Sequence, residues 1–230
     1  MPFPYNTALI TGATSGIGYA LAKRLIATNV FVVAVGRRRE RLDKLVATHG
    51  PSEVAVEACD VSDLDGMAQW TKRYLCFPLL DSRLSFLPHL QSLSSPASII
   101  LVSSALGIVP LPRCANYCAS KAALRSLAWS LRAQLSDDGQ RSEHIRVIEI
   151  IPPAVKTELH TRQADLVAVG QVDFGIPLDQ FIEETWLGLE NGAADEISVG
   201  IAKVYAASET EKKKAFEGLL AMVKEQSGKV

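Results

Sequence analysis

The feature that most limits what this chain can become is a short apolar run that breaks into glycines and then into a helical pattern. Thr7 to Thr11 (TALIT) reads as a buried strand, and Thr11-Gly12-Ala13-Thr14-Ser15-Gly16-Ile17-Gly18 follows directly. Each glycine has a physical job there. Gly12 permits a tight turn off the strand, Gly16 lets backbone N–H groups approach a pyrophosphate, and Gly18 lets the next helix pack close to the sheet. The helix N-terminus then faces the phosphates with its unpaired N–H groups. Glycines alone would describe a plain turn; the strand–turn–helix context is what points to a dinucleotide.

The rest of the chain keeps alternating. The first helical pattern runs from Ile17 to about Asn29, and VFVVAVG (30–36) is a second buried strand. RRRERLDKLVATHG (37–50) reads as a basic helix closed by Gly50, and EVAVEACD (53–60) as a third strand. SDLDGMAQWTKRY (62–74) is helical, with Ser62 in a capping position. SIILVSS (98–104) is again a buried strand. A long helix, 116–135, ends at the turn signal DDGQ, and HIRVIEIIPP (144–153) is a strand stopped by Pro152 and Pro153. PLDQFIEETWLGLENG (177–192) has helical periodicity and EISVG (196–200) is a last strand. The final Lys- and Glu-rich stretch, with Phe216, Leu219, Leu220 and Met222, is an amphipathic surface helix. No repeat or linker interrupts the series. It predicts one α/β domain over residues 1–230, a doubly wound, Rossmann-like parallel sheet with a shortened middle.

Composition narrows the partners. At 230 residues, 48% apolar and 21% charged, the chain reads as soluble and globular. A net charge of −1 gives no reason to expect nucleic acid or an anionic membrane surface. The start, MPFPYNTALITG, has no basic region before its strand and is not a signal peptide, and no apolar run has the length of a membrane span. Cys59, Cys76, Cys114 and Cys118 form no C-x-x-C pair and read as small apolar fillers in a cytoplasmic protein. His49, His89, His144 and His160 lack ligand spacing, so no metal site is expected.

Around twenty residues past the glycine turn, an NAD site would place an acid on the ribose 2′-hydroxyl. This chain has Gly36-Arg37-Arg38-Arg39 there. A guanidinium suits a 2′-phosphate through charge and bidentate hydrogen bonds, which favours NADP(H) over NAD(H). The bland alternative is a solvated basic helix start. Asp60, at the end of the third strand, either accepts from an adenine amino group or caps the following helix.

Ser104, Tyr117 and Lys121 are the second constellation. Tyr117 and Lys121 are four apart on the long helix and share a face. An ammonium beside a phenol stabilises the phenolate, and such a tyrosine exchanges protons with a substrate oxygen near neutral pH. Ser104, at a strand end, can hydrogen-bond the same oxygen. A Y-x-x-x-K pair is usually structural when alone; the upstream serine and the nucleotide loop change its weight.

With these residues in view, the chain resembles the short-chain dehydrogenase/reductase family, through TGATSGIG, GRRRERL, CDVSD, IILVSS, YCASKAAL and IPPAVKTEL. The resemblance implies hydride transfer between a nicotinamide and a carbonyl or secondary-alcohol carbon of a small molecule. It implies that Tyr117 is the acid/base, that Lys121 assists it and holds the nicotinamide ribose, and that Ser104 positions the substrate oxygen, with Ser103 the lesser candidate. It implies cofactor contacts at Gly12, Ser15, Gly16, Ile17, Gly18, Arg37, Arg38, Asp60, Val61, Tyr117, Lys121, Val155 and Thr157. It also implies a possible homodimer and a mobile substrate lid within 158–193. Leu159, Val167, Val169, Phe174 and Ile176 would line an apolar pocket there. Pro153 stands where many members have glycine.

One expected part is missing. The family's Asn-Ala-Gly loop and its proton-relaying asparagine are absent: no asparagine occurs between Asp60 and Asn116, and Arg73 or Tyr74 falls nearest that place. Residues 61–97 must supply a helix, a strand and a crossover helix, whose typical lengths with loops total roughly 43 residues, more than that interval holds. Three readings compete. Arg73 to Phe77 forms a makeshift strand, with Asp81 to Leu93 a short helix after it; or the strand is gone, and 74–93 is the rear of a longer helix beside unpaired strand edges; or the sequence lacks a segment that the working protein has, as in an incomplete gene model. Two functions besides redox catalysis follow: a nucleotide-binding relative serving as regulator or partner, and a catalyst of a non-redox step.

Overall fold

The computed structural model describes residues 3–60, 63, 86–168, 170, 172–192 and 194–227. Chain order begins β1 (Thr7–Thr11), α1 (Gly16–Ala27), β2 (Phe31–Gly36), α2 (Arg39–His49) and β3 (Val54–Ala58). It resumes with α3 (Leu87–Ser92), β4 (Ala97–Val102), α4 (Ala115–Asp137), β5 (Ile145–Ile151) and α5 (Ala164–Ala168). The last elements are α6 (Leu178–Asn191), β6 (Glu196–Ser198), α7 (Ala202–Ala207) and α8 (Thr210–Ser227). The chain divides into two compact units, Met1–Ala97 with Val155–Trp186 and Ser98–Ala154 with Leu187–Val230. The architecture is the Rossmann-like α/β arrangement that the alternating pattern predicts.

In the first unit β2 lies between β1 and β3, parallel to both, with Thr7 opposite Phe31 and Val32 opposite Val54. The apolar run of β2 earns its central place: Val32, Ala34 and Val35 are fully buried. β1 differs from expectation. None of its residues is buried, and Leu9 is 37% exposed, because β1 is the outer strand among the described residues and has a neighbour on one side only. α1 turns Ala22, Leu25 and Ile26 inward and stops where Asn29 takes φ +63, a left-handed conformation that asparagine tolerates. α2 buries Leu42 and Leu45 and ends, as its sequence predicts, at Gly50 with φ +85.

In the second unit β5 is central in the order β4-β5-β6, and its buried run includes Val147, Ile148, Glu149, Ile150 and Ile151. β4 is the outer strand among the described residues, so the expectation of a buried strand is corrected here too, with Ile100 37% exposed. Gly188 lets α6 lie on β6: a Cβ there would meet Ile197 Cγ2 at 2.7 Å. The α8 helix lays Phe216 against Trp129, ring centroids 5.5 Å apart, and leaves Leu219 and Met222 exposed. The helix expected at 62–74, its cap Ser62, and the makeshift strand at 73–77 lie outside the described residues; α3 falls inside the expected 81–93 helix.

A buried ionic centre holds this unit together. Arg125 of α4 is 3% exposed and donates to Glu149 Oε2 on β5 (2.8 Å), Glu196 Oε2 on β6 (3.0 Å) and Glu209 Oε2. Trp129 Nε1 donates to the other Glu196 oxygen at 3.0 Å. Burial works against the arginine's charge, and the carboxylates overcome it, so Arg125 sits above its ordinary value. Removing it would leave Glu149, itself fully buried, without its cation. Arg125→Ala is therefore expected to destabilise the protein by about 3–5 kcal/mol, read as a lowered urea midpoint in a circular-dichroism melt; a loss under 1 kcal/mol, on the order of an exposed pair, would contradict a buried ionic centre.

Candidate active site

The glycine turn is built by close approaches in the first unit. Ala13 N donates to Val35 O at 3.1 Å, stitching the turn to β2. A Cβ on Gly18 would lie 2.6 Å from Gly12 O, and one on Gly36 would lie 2.6 Å from Thr14 Cγ2. Gly12 (φ +74) and Gly16 (φ +54) take left-handed backbone, and a Cβ on Gly12 would meet nothing within 4 Å. A Cβ on Gly16 would touch Thr157 Cγ2 at 3.4 Å, so the expected residue Thr157 does meet the turn. Ser15 precedes α1 without a side-chain cap, leaving the first N–H groups of a twelve-residue helix for an anion. This lean, open turn fits a pyrophosphate, with Ile17 in the first turn of the helix.

The arginines that follow β2 divide their labour. Arg38 donates through Nε and Nη2 to Thr14 Oγ1 (3.1 and 3.0 Å), through Nη2 also to Ser15 Oγ, and through Nη1 to Glu158 Oε1 (2.7 Å). Arg41 pairs with both Glu158 oxygens, at 2.7 and 3.0 Å, and donates to Thr14 O at 3.0 Å. Arg37 is 75% exposed and lies 3.7 Å from Asp60. Asp60 O also accepts from Asp63 N at 3.0 Å, and the helix that Asp60 was alternatively expected to cap lies outside the described residues. Val155 is buried and bridges to Ile176. Val61 lies outside the described residues.

In the second unit the chain leaves β4 through Ser103 and Ser104. Ser103 is buried, and its hydroxyl points to Ile150 O at 3.4 Å. Ser104 Oγ accepts from Leu106 N at 3.1 Å, capping a short turn over 105–107 and leaving its hydroxyl hydrogen to donate elsewhere. Gly107 presses that turn onto α4: a Cβ there would stand 2.8 Å from the Lys121 carbonyl carbon. Lys121 Nζ donates to Val102 O at 2.8 Å and sits 5.6 Å from the centroid of the Tyr117 ring. Burial pushes the Lys121 ammonium below its ordinary value. Tyr117 itself is 42% exposed. Cys114 precedes α4 and Cys118 is buried in its first turn, both reduced, with Sγ atoms 3.8 Å apart.

Three contributors escaped the sequence reading. Gly107 is three residues past Ser104, a spacing that marks the turn; Arg41 is two residues past the arginine run and three past Arg38; Glu158 follows Thr157 and carries no local signal. Within 158–193, a 3-10 turn (His160–Arg162) precedes α5 and α6, His160 stacks on Phe174 at 4.2 Å, and Leu159, Val167 and Phe174 are exposed. Val169 lies outside the described residues. Among the described residues, no group of three His, Cys, Asp or Glu side chains is placed to hold a metal, and no helix is long and apolar enough to cross a membrane.

Comparison with known proteins adds an independent line. The family profile described as short chain dehydrogenase matches residues 6–75 and 78–166. An uncharacterized oxidoreductase, DltE, of Bacillus subtilis (strain 168) is 31% identical over 229 aligned positions, spanning 84% of this chain and 87% of that protein. Oxidoreductase asL5 of Sarocladium schorii is 32% identical over 189 positions, 67% of this chain and 74% of that one. In both, the aligned positions outnumber the residues this chain contributes, so each relative carries internal sequence that this chain lacks. A short-chain dehydrogenase/reductase from Burkholderia phymatum, solved in complex with NAD, is similar at TM-score 0.75 and 17% identity over 94% of this chain and 96% of that one. A short-chain dehydrogenase from Sphingobium yanoikuyae, in complex with NADPH, gives TM-score 0.71 and 24% identity over 94% of each. The two solved structures share the fold and differ in cofactor.

The turn tolerates no added volume at Gly18, where the obstacle is backbone. Gly18→Ala is expected to cost about 1–3 kcal/mol of stability despite alanine's better helix propensity, measured by urea denaturation; an unchanged or raised midpoint would show that the turn can relax away from α1.

Proposed function

Because the chain belongs to the short-chain dehydrogenase/reductase family of oxidoreductases, we propose that it interconverts a carbonyl and a secondary alcohol on a small, apolar molecule, using NADP(H). The observation that carries this reading is the Lys121 ammonium, anchored on Val102 O and facing the Tyr117 ring, with the Ser104 hydroxyl hydrogen available two residues past the end of β4. When bound, the nicotinamide supplies or accepts the hydride. Tyr117 gives a proton to the substrate oxygen in reduction and takes it back in oxidation. Lys121 offsets the negative charge left on the phenol, and because burial lowers its proton affinity it returns a proton more readily. Ser104 donates to the same substrate oxygen and orients it.

The preference for NADP(H) is supported by the guanidinium of Arg38 beside the Thr14 and Ser15 hydroxyls, a donor set matched to a phosphate monoester. Gly12, Gly16, Gly18 and Thr157 would carry the pyrophosphate, and Arg37 and Asp60 would lie toward the adenosine end. An apolar substrate is supported by the exposed Leu159, Val167 and Phe174 of the segment proposed to cover it. A second reading, nucleotide binding without turnover, is favoured by the internal sequence that both relatives have and this chain lacks.

One experiment separates the two. The protein is titrated with NADPH and NADH by nicotinamide fluorescence and then assayed against a panel of apolar ketones. Tighter binding of NADPH with ketone-dependent oxidation is expected, and Tyr117→Phe should lower that rate by about 10²–10⁴-fold while leaving the NADPH dissociation constant unchanged. Binding without turnover of any ketone or alcohol would select the second reading, and full activity in Tyr117→Phe would remove that residue from the chemistry.

A further inference from the structure

We propose that Glu158 is a built-in competitor for the cofactor's 2′-phosphate, its carboxylate occupying the cationic cradle of Arg38 and Arg41 when the cofactor is absent. This role presupposes the NADP(H) preference proposed for the loop. Four guanidinium contacts converge on one carboxylate: Oε1 accepts from Arg38 Nη1 and Arg41 Nη1, both at 2.7 Å, and Oε2 from Arg41 Nη2 and Arg162 Nη2, both at 3.0 Å. The same Arg38 reaches the Thr14 and Ser15 hydroxyls on the phosphate-facing turn. Three cations around one anion leave a surplus of positive charge, which suits a dianionic phosphate monoester better than a single carboxylate.

Occupancy and access both favour competition over a fixed structural bridge. Every N–H-bearing atom of the Arg38 guanidinium already has a partner, and Glu158 holds Nη1. Glu158 takes one N–H of Nη1, so a phosphate that draws on that nitrogen meets the carboxylate as a second anion on the same guanidinium. The Glu158 and Arg38 side chains are 30% and 32% exposed, so the site opens to solvent and the carboxylate has room to leave it. Glu158 also follows Thr157, whose methyl group adjoins Gly16, so the competing anion is delivered by the chain segment that borders the pyrophosphate turn. Hydrogen bonds from Arg41 foremost, then from Ser15 and Arg38, hold the Glu158 carboxyl well below the usual carboxylate range, which keeps it an anion at any physiological pH.

The consequence is a lowered affinity for the phosphorylated cofactor and a blunted discrimination between NADPH and NADH. The test uses calorimetric titration of the 230-residue protein with NADPH, NADH, 2′,5′-ADP and 5′-ADP, together with melting temperatures. Glu158→Gln, which keeps the shape and removes the charge, should bind NADPH and 2′,5′-ADP about 10-fold more tightly or better, with NADH and 5′-ADP unchanged. Glu158→Asp keeps the charge and its fold-supporting pairs but cannot span all three arginines; it should fall between the wild type and Glu158→Gln, and it stands in should the glutamine variant fail to fold. Unchanged or weakened 2′,5′-ADP binding in a folded variant overturns the competitor role while leaving an NADP(H) preference in the wild type intact. Failure of 2′,5′-ADP to bind wild type and variants alike overturns both that preference and this role. Appearance of binding only in the variants supports the competitor in its strongest form.

Discussion

Backbone packed on backbone at Gly18 and Gly12 sets the terms for the first compact unit of this protein. The carbonyl oxygen of Gly12 stands where a side chain on Gly18 would begin, so α1 starts pressed against the strand it follows. That closeness fixes the turn between them, and two further missing side chains fix what surrounds it. Gly36 admits the Thr14 methyl group, and Gly16 admits that of Thr157. The turn is thus defined by volumes left empty, and its hydroxyls at Thr14 and Ser15 are presented to Arg38 as a result. A bulkier chain at any of these positions would move the donors before it moved the fold.

The second unit depends on a stripe along one helix. Tyr117, Lys121, Arg125 and Trp129 recur every four residues on α4, so they follow one another down a slowly turning face. The upper pair is the one proposed to carry the chemistry, and the lower pair carries the anchor: Lys121 lies over the Tyr117 ring, and Arg125 lies 5.3 Å from the Trp129 ring centre while gripping three carboxylates. The ionic centre orients the helix about its axis, and Gly107 sets its distance from the turn that bears Ser104. Orientation and distance together are what a proton-transfer pair requires, since small misplacements of reacting groups cost rate steeply.

Most of this was legible in the sequence because it is local. Strand and helix positions follow from apolar periodicity, and the observed ends differ from the expected ones by a residue or two, as with 144–153 against Ile145–Ile151. The glycine turn and the Tyr117–Lys121 spacing are likewise short-range patterns. Exposure was not legible. TALIT and SIILVSS both read as buried strands, yet β1 and β4 stand at the edges of their sheets among the described residues. A strand's own residues record that it prefers burial; which neighbours cover it is decided elsewhere in the chain. Glu158 was hidden for the same reason, since its partner Arg38 is 120 residues away.

The arginine run shows how far a linear motif can mislead and still be right. Gly36-Arg37-Arg38-Arg39 reads as a phosphate clamp or as the solvated start of a basic helix, and the fold sends its three side chains to different places. Arg39 opens α2 and pairs with Asp43 one turn on, the bland outcome. Arg37 stays in solvent near Asp60. Arg38, the residue just before the helix, has the non-helical backbone that swings its side chain back across the turn to Thr14 and Ser15. One step along the chain changes the direction of a side chain by about 100° in a helix. The chemistry of the run therefore belongs to its position relative to the first turn of α2, and to the anion that waits for it at Glu158.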